Sequence, residues 1–305
     1  MLGIWRLQLL REVARRGTLK AAAQAMSITP SAVSQQLRIL EQESGAKLLE
    51  PYGRLVRLTE AGRMLVRHAD TITAAIAAAE AELATTRDEV VGTLSVAAFP
   101  TAARAIMPQV LAGLGRSHPK LRLMLRDLES NESLLALQMD EVDLAVVDEY
   151  DEASRVRAPG IDTIEIMHDP LYIALSPDTD APAGGVVLAD LCEQPWIMDT
   201  ETSTIFQVAL RACRRAGFDP QVRSHCKDYS VILALVGAGL GVGVVPGLAL
   251  YDRRVRARVS PLQPPLERIV HAAFRSERRS HPAVAALLGE LAAFGSAYGD
   301  PVATI

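Results

Sequence analysis

Four side chains near the start of the chain have the right types and spacing to read nucleic acid. Ser31, Ser34, Gln35 and Arg38 share one side of the segment PSAVSQQLRIL, while Val33, Leu37 and Leu40 share the other. Hydroxyls, an amide and a guanidinium are groups that pair with base edges and phosphates in a major groove. Thr29 precedes Pro30 and can cap this segment, with proline at a first helical position where a missing N–H costs nothing. An ordinary pair of helices with a solvated face would show the same short pattern. Further along, hydroxyls and carboxylates gather where strands run into helices. Phe99-Pro100-Thr101, Asp148, Asp199-Thr200-Glu201-Thr202-Ser203 and Lys227-Asp228 are the groups of this kind. Exposed N–H groups at such helix starts suit a carboxylate, and Asp199, Glu201 or Asp228 could hold an ammonium. Thr101, Thr202, Ser203 and Asp228 could equally serve only as helix caps.

Catalytic and metal chemistry finds little support. The histidines (68, 118, 168, 225, 271, 281) form no H-x-x-x-H or similar pair, so no metal site is expected. No G-x-S-x-G elbow occurs. The glycine-rich GAGLGVGVVP (237 to 246) ends a helix and enters a strand, the reverse of a nucleotide-binding turn. No cofactor is called for.

The elements that position these residues can be read from periodicity. Thr18 caps a helix with Leu19, Ala22, Ala23 and Met26 on its apolar face, and residues 27 to 29 break it before the second helix. GRLVRL (53 to 58) alternates and suits a β-wing, with Arg54 placed to reach a phosphate or the minor groove. From Thr59 a long helix carries Leu65, Ala69, Ile72, Ile76, Ala79 and Leu83 at alternating steps of four and three, the spacing of a coiled-coil seam. Such a row predicts a dimerisation helix, with burial inside one chain as the other outcome. After Gly92, strands at 93–99, 121–127 and 143–148 alternate with helices, so parallel strands with crossover helices are expected. A second set runs through IEIMH, LYIAL, PWIMD, a helix from Thr204 to Ala216, VRSHCKD, a helix at 229 to 238 and VGVVP. RIVHAAFR (268 to 275) and a helix at 282 to 298 then return to the first set. A chain that leaves one α/β unit, builds another and returns makes two lobes with a cleft between them.

At 305 residues the chain is long enough for two or three cores. The net charge of −4 looks unsuited to DNA until it is divided. Residues 1–60 carry nine basic against five acidic groups, and the excess of acid lies beyond residue 92. This modest basic surface favours an assembly in which several copies act together. The start of the chain has charges throughout and no secretory pattern, and no apolar run is long enough to span a bilayer. Cys192, Cys213 and Cys226 lack metal-ligand spacing. A cytoplasmic protein with reduced thiols and no membrane contact is expected.

One family shares the order and spacing of the N-terminal residues. Leu7, Leu10, Val13 and Ala14, then Gly17-Thr18, Ala22-Ala23, TPSAVS, Leu40-Glu41, Gly45, Leu48-Leu49 and RLTEAG (57 to 62) resemble the winged helix-turn-helix domain of LysR-type transcriptional regulators. The resemblance spans some sixty residues, and the remaining length and layout fit the family. Two departures stand out. Family members usually carry phenylalanine and then arginine at the positions of Leu49 and Pro51, and often glutamine at that of Pro30. The first removes an implied phosphate contact near the wing, the second an implied base contact. The peroxide-sensing branch uses two cysteines in the region matching residues 203 to 213. This chain has Ser203 and Cys213, so such a disulfide lacks one partner.

The expected architecture is α/β, in three parts. A winged helix-turn-helix occupies residues 1–60 and a linker or dimerisation helix residues 61–91. A two-lobed effector domain similar to periplasmic binding proteins occupies 92–305. Its first lobe takes about 92–164 and 267–305, its second about 165–266. The expected function is DNA-binding transcriptional regulation, modulated by an amino acid or carboxylate in the cleft. Expected partners are double-stranded DNA, a small-molecule effector and further copies of the chain, with RNA polymerase as a candidate. A ligand-independent chromosome-organising protein is the alternative; a solute-binding protein would leave the first ninety residues unexplained.

Overall fold

The computed structural model describes residues 2–52, 55–85, 90–150, 158–182, 184–251 and 256–299. Three helices open the chain: α1 (Ile4–Arg16), α2 (Leu19–Ala25) and α3 (Pro30–Ser44). Gly17 ends α1 at φ 69 and Gly45 ends α3 at φ 67, left-handed positions that glycine occupies without Cβ strain. The Thr18 hydroxyl accepts from the Ala21 N–H, and the Thr29 hydroxyl from the Ala32 N–H, so both expected caps form. A hairpin of β1 (Leu49–Tyr52) and β2 (Leu55–Leu58) makes the wing. The sequence reading placed only the second of these strands. Leu9, Leu10, Ala22, Val33, Leu40 and Leu48 fill the core beneath.

The long helix α4 (Glu60–Thr85) follows. At about 1.5 Å per residue it is nearly 40 Å long, far more than the small N-terminal core requires. The row expected to form one seam divides. Leu65 and Ala69 are buried in the N-terminal core of their own chain, which removes them from any intermolecular seam. Ile72 is 37% exposed, Ile76 half-buried and Ala79 exposed. The side chain of Leu83 and the whole of Arg54 lie outside the described residues.

The remaining chain builds two lobes on shared strands. β3 (Gly92–Ala98) leads to α5 (Pro100–Ala105), α6 (Met107–Ser117), β4 (Leu121–Asp127), α7 (Ser130–Gln138) and β5 (Leu144–Glu149). β3 lies parallel to both β4 and β5, as the βαβ order predicts. β6 (Ile161–Leu175) then runs fifteen residues without a break, where two separate strands were expected. β7 (Val186–Val187) and β8 (Pro195–Met198) come next, followed by α8 (Thr204–Arg215), β9 (Gln221–His225), α9 (Tyr229–Gly237), β10 (Gly243–Pro246) and α10 (Gly247–Leu250). β11 (Arg258–Arg275) returns antiparallel along the length of β6, and α11 (Pro282–Ala297) closes the first lobe.

Both crossings between lobes are thus strands of a single sheet, ordered β10-β6-β11-β5-β3-β4. The parallel strands expected at 93–99, 121–127 and 143–148 are β3, β4 and β5, while β6 and β11 are antiparallel to each other. β10 pairs with residues 171–174 of β6, in the second lobe, and β5 pairs with residues 269–274 of β11, in the first. β8 and β9 form a separate parallel pair in the second lobe. Phe274, Leu144, Leu114 and Ile106 centre the first core, and Trp196, Ile173 and Cys213 the second.

Charged groups tie α1 to the first lobe. Arg11 is buried, with Nε 2.6 Å from Asp70 Oδ1 and Nη2 3.7 Å from Glu277 Oε1. Arg15 lies 3.6 Å from Asp140 and Arg16 3.7 Å from Glu141. Arg275, buried on β11, pairs with Asp140 and donates to the Leu137 carbonyl. The N-terminal helical domain and the first lobe therefore share an ion-pair network.

Candidate functional site

The exposed face of α3 is the first site. Val33, Leu37 and Leu40 are buried, so helical geometry turns Ser31, Gln35 and Arg38 to solvent with Ser34 beside them. Thr29 is exposed but engaged: its hydroxyl caps α3 and lies 2.9 Å from that of Ser31. The other arginines described in residues 2–58 are committed to carboxylates. Arg6 pairs with Glu43, Arg57 with Glu50, and Arg11, Arg15 and Arg16 with the acids above or with Glu12. Arg38 forms no ion pair among the described residues, which leaves its guanidinium free to meet a phosphate or a guanine edge.

The second site is the cleft between the lobes, a cavity of about 480 Å³. Its floor is an arginine that sequence reading did not single out. Arg268 stands directly opposite Asp169 where the crossing strands β11 and β6 pair. The arginine is 2% exposed and the aspartate 0%. Arg268 Nε donates to Asp169 Oδ2 at 2.9 Å, with Nη2 2.8 Å from the same oxygen. Nη1 donates to Asp148 Oδ2 at 2.9 Å and to the Tyr150 hydroxyl at 3.3 Å, and Nη2 donates to Thr101 Oγ1 at 2.7 Å. The guanidinium carbon lies 4.8 Å from the centroid of the Phe99 ring, a cation–π contact. The other oxygen of Asp169 accepts from the Leu248 N–H at 2.9 Å and the Tyr298 hydroxyl at 3.1 Å.

Burial pulls the Arg268 proton affinity down, but the neighbouring phenol and carboxyl groups outweigh it, so the guanidinium stays charged. Burial raises the Asp169 carboxyl against the pull of Arg268 and its hydrogen bonds. Burial likewise holds the Tyr150 and Tyr229 phenols well above their ordinary range, so both remain neutral donors.

The candidate residues divide by position. Phe99, Pro100, Thr101, Asp148, Thr200, Thr202 and Ser203 all line this cavity. Asp228 does not; it caps α9 by accepting from the Ser230 N–H, and it lines an adjoining cavity of about 680 Å³. Ser203 caps α8, accepting from Phe206 N–H at 3.2 Å. The Thr101 hydroxyl caps nothing and is engaged by Arg268. Thr200 donates through its N–H to Asp199 Oδ1 at 2.6 Å, and Tyr229 donates to Asp199 Oδ2 at 3.2 Å. Sequence reading missed Arg268, Asp169, Glu129, Tyr150 and Tyr229. A signal was present for two of them. Arg268 alternates with Val270 and Ala272, and Asp169 with Met167 and Leu171, so each is a lone charge on a strand's buried face.

Cys213 is fully buried, and burial pushes its thiol up to about 12. Such a thiol holds its proton and is a poor nucleophile. Among the described residues no cluster could hold a metal ion, and no helix is long and apolar enough to cross a membrane.

A winged helix-turn-helix joined by a long helix to two lobes around a polar cleft defines a ligand-responsive DNA-binding regulator. The family models agree. Residues 4–63 match the bacterial regulatory helix-turn-helix protein model of the lysR family, and residues 87–295 match the LysR substrate binding domain. The chain belongs to the LysR family of transcriptional regulators. A probable hydrogen peroxide-inducible genes activator from Mycobacterium avium is 28% identical over 289 residues, covering 92% of this chain and 91% of its own length. The transcriptional dual regulator GltC of Bacillus subtilis is 28% identical over 244 residues, 79% of each chain. Among solved structures, a full-length OxyR from Pseudomonas aeruginosa shares the fold with a TM-score of 0.68 at 20% identity, covering 96% of this chain and 98% of that one.

Proposed function

We propose that this regulator binds double-stranded DNA as a dimer or a dimer of dimers through α3 and the wing, and that a small metabolite in the interlobe cleft sets its activity. Thr29, Ser31, Ser34, Gln35 and Arg38 face the DNA, with Arg54 of the wing reaching a phosphate. The observation that carries this reading is the free Arg38 guanidinium on the exposed face of α3, in a domain whose other described arginines up to residue 58 hold carboxylates. Phe99, Thr101, Asp148, Thr200, Thr202 and Ser203 shape the cleft for the effector, and Asp228 borders its mouth. Ligand binding favours one placement of the lobes, a population shift that requires different affinity for the two arrangements. The ion pairs from α1 to Asp140, Glu141 and Glu277 supply a route from lobe to DNA-binding domain. The protein acts in the cytoplasm, as a regulator and not an enzyme, with RNA polymerase as its candidate further partner.

Arg38→Ala tests the DNA face. If the guanidinium reads a guanine, specific affinity falls by about 1–3 kcal/mol at that base position. If it meets only phosphate, affinity falls evenly across sequences and the salt slope flattens by about one unit. Gel-shift titrations at several salt concentrations separate the two, and unchanged binding would remove Arg38 from the interface.

Two threonines test the cleft. Thr101→Val should lower stability by about 1–3 kcal/mol, because it deletes an acceptor of a buried, charged donor. Thr202 is exposed and holds no hydrogen bond in the described structure. Thr202→Val should change stability by less than about 0.5 kcal/mol while weakening the ligand-dependent change in the DNA footprint. Equal loss of stability in both variants would contradict this assignment.

A further inference from the structure

The charges around the cleft say what class of effector it takes. Four carboxylates, Glu129, Glu132, Asp148 and Asp199, line the cavity with two cations, Arg268 and Lys227, and a fifth, Asp169, stands buried behind Arg268. Arg268 is already saturated: two carboxylates, a phenol, a threonine and an aromatic face surround it. It has little left to offer an anionic ligand. Lys227 is 73% exposed and only 3.8 Å from Glu129, a loose pair that solvent screens. The surplus is therefore negative, and Glu129 of the first lobe and Asp199 of the second both contribute to it on the cavity wall. Burial raises both carboxyls; Lys227 opposes the rise at each, the hydrogen bonds from Thr200 and Tyr229 oppose it at Asp199, and the charge of Asp199 adds to it at Glu129. A carboxylate ligand here would meet like charge in a partly desolvated space. The adjoining cavity does not reverse the balance. It adds Asp127 and Asp228, and its Arg104 is spent on the Leu248 and Ala249 carbonyls.

We infer that the effector carries an ammonium group, held between Glu129 and Asp199 and bridging the two lobes. This rests on the reading of the cleft as the effector site and narrows the expectation of an amino acid or carboxylate. A simple carboxylate is disfavoured, while an amine or an amino acid remains. A ligand bound to one carboxylate from each lobe would pull the lobes together, which gives it the differential affinity that a switch needs. The carboxylate of an amino acid would have the exposed Thr202 hydroxyl to donate to it, since the Thr200 hydroxyl already donates to Asp199.

The test uses the full-length protein and three probe sets of matched chain length at neutral pH: short linear amines, the corresponding ω-amino acids, and the corresponding carboxylates. Melting temperature is read by scanning fluorimetry. The amines, the amino acids or both should raise it, and the plain carboxylates should not. Stabilisation by amino acids alone identifies a zwitterion, and stabilisation by both identifies the ammonium as sufficient. In Glu129→Gln/Asp199→Asn the apparent affinity for the active probe should drop at least about tenfold. Without probe, that variant should melt close to the wild type: the amide oxygens can still accept from the Glu132 N–H that Glu129 caps and from the Thr200 N–H, and the repulsion between the two carboxylates is gone. Stabilisation by carboxylates, no stabilisation by any ammonium-bearing probe, or full affinity in the variant would overturn the assignment. The gel shifts with Arg38→Ala judge the regulator reading separately, so the two can fail independently.

Discussion

Arg268→Ala should destabilise the protein by about 3–5 kcal/mol, the cost of breaking a buried ion pair from one side. The reason lies in what is left behind. Asp169 would remain fully buried with, among the described residues, a Leu248 N–H and a Tyr298 hydroxyl as its remaining donors, and Asp148 would lose its guanidinium partner. Phe99 would face a void instead of a cation. Both crossing strands carry members of this cluster, so the loss should loosen the lobes relative to one another as well as the fold. Arg268→Lys should recover only part of the loss, since an ammonium cannot reach Asp169, Asp148 and Thr101 with one planar fork.

The pH dependence of the same variant checks the mechanism. A carboxyl whose folded value is raised above its unfolded value contributes stability at low pH that is lost as pH rises through the folded value. Burial already raises Asp169 in the wild type, and removing Arg268 strips away the main group that opposes this. The variant should therefore melt higher at mildly acidic than at mildly alkaline pH, by a wider margin than the wild type. Chemical denaturation across that range measures both effects. A loss below about 1 kcal/mol without the altered pH slope would mean that Arg268 is dispensable to the cleft.

How much of this was readable in the sequence depends on the range of the interactions. The helix-turn-helix was legible because its determinants are local: Thr18 and Thr29 as caps, Pro30 at a first turn, and the Val33, Leu37, Leu40 stripe. The parallel strands of the first lobe were legible from their alternation with helices. The crossing strands were legible only in pieces. Pro170 within β6, and Pro264 and Pro265 within β11, read as breaks, because proline cannot donate to a ladder. In the structure β6 continues through Pro170, which sits opposite Glu267, and β11 absorbs its prolines in an irregular step between Pro261 and Leu266. A strand of the wing was missed for a similar reason, since Pro51 interrupts its pattern. The cleft illustrates another limit. Segments entering helices could be named from strand ends, yet the charge balance that decides the ligand comes from Arg268, Asp169 and Glu129. Those residues are far apart in sequence and meet only through register. The pairing of Arg11, Arg15 and Arg16 with Asp140, Glu141 and Glu277 is of the same kind.

Ile72→Asp with Ile76→Asp should abolish dimerisation while leaving the monomer folded. Leu65 and Ala69 are consumed by the N-terminal core, so they hold α4 to its own domain whatever happens further along. Beyond them the same apolar row continues at Ile72 and Ile76. Ile72 is 37% exposed, although nothing in a monomer requires an isoleucine there. A second copy of α4 crossing at this stretch would cover the row, with Ala79 small enough to let the backbones approach. Two aspartates would place unpaired carboxylates in that contact, each costing far more desolvated than exposed. Light scattering should then report a monomer, and circular dichroism an unchanged helix content. DNA affinity should fall by about 10²–10⁴, because two half-sites no longer act as one ligand. Retention of the wild-type assembly would show that α4 does not form the contact, and the exposed Ile72 would then need another partner. Loss of helix content would show instead that Ile72 and Ile76 support their own chain. The DNA measurement distinguishes these cases: a folded monomer that still binds with full affinity would mean that one copy of α3 and its wing suffices.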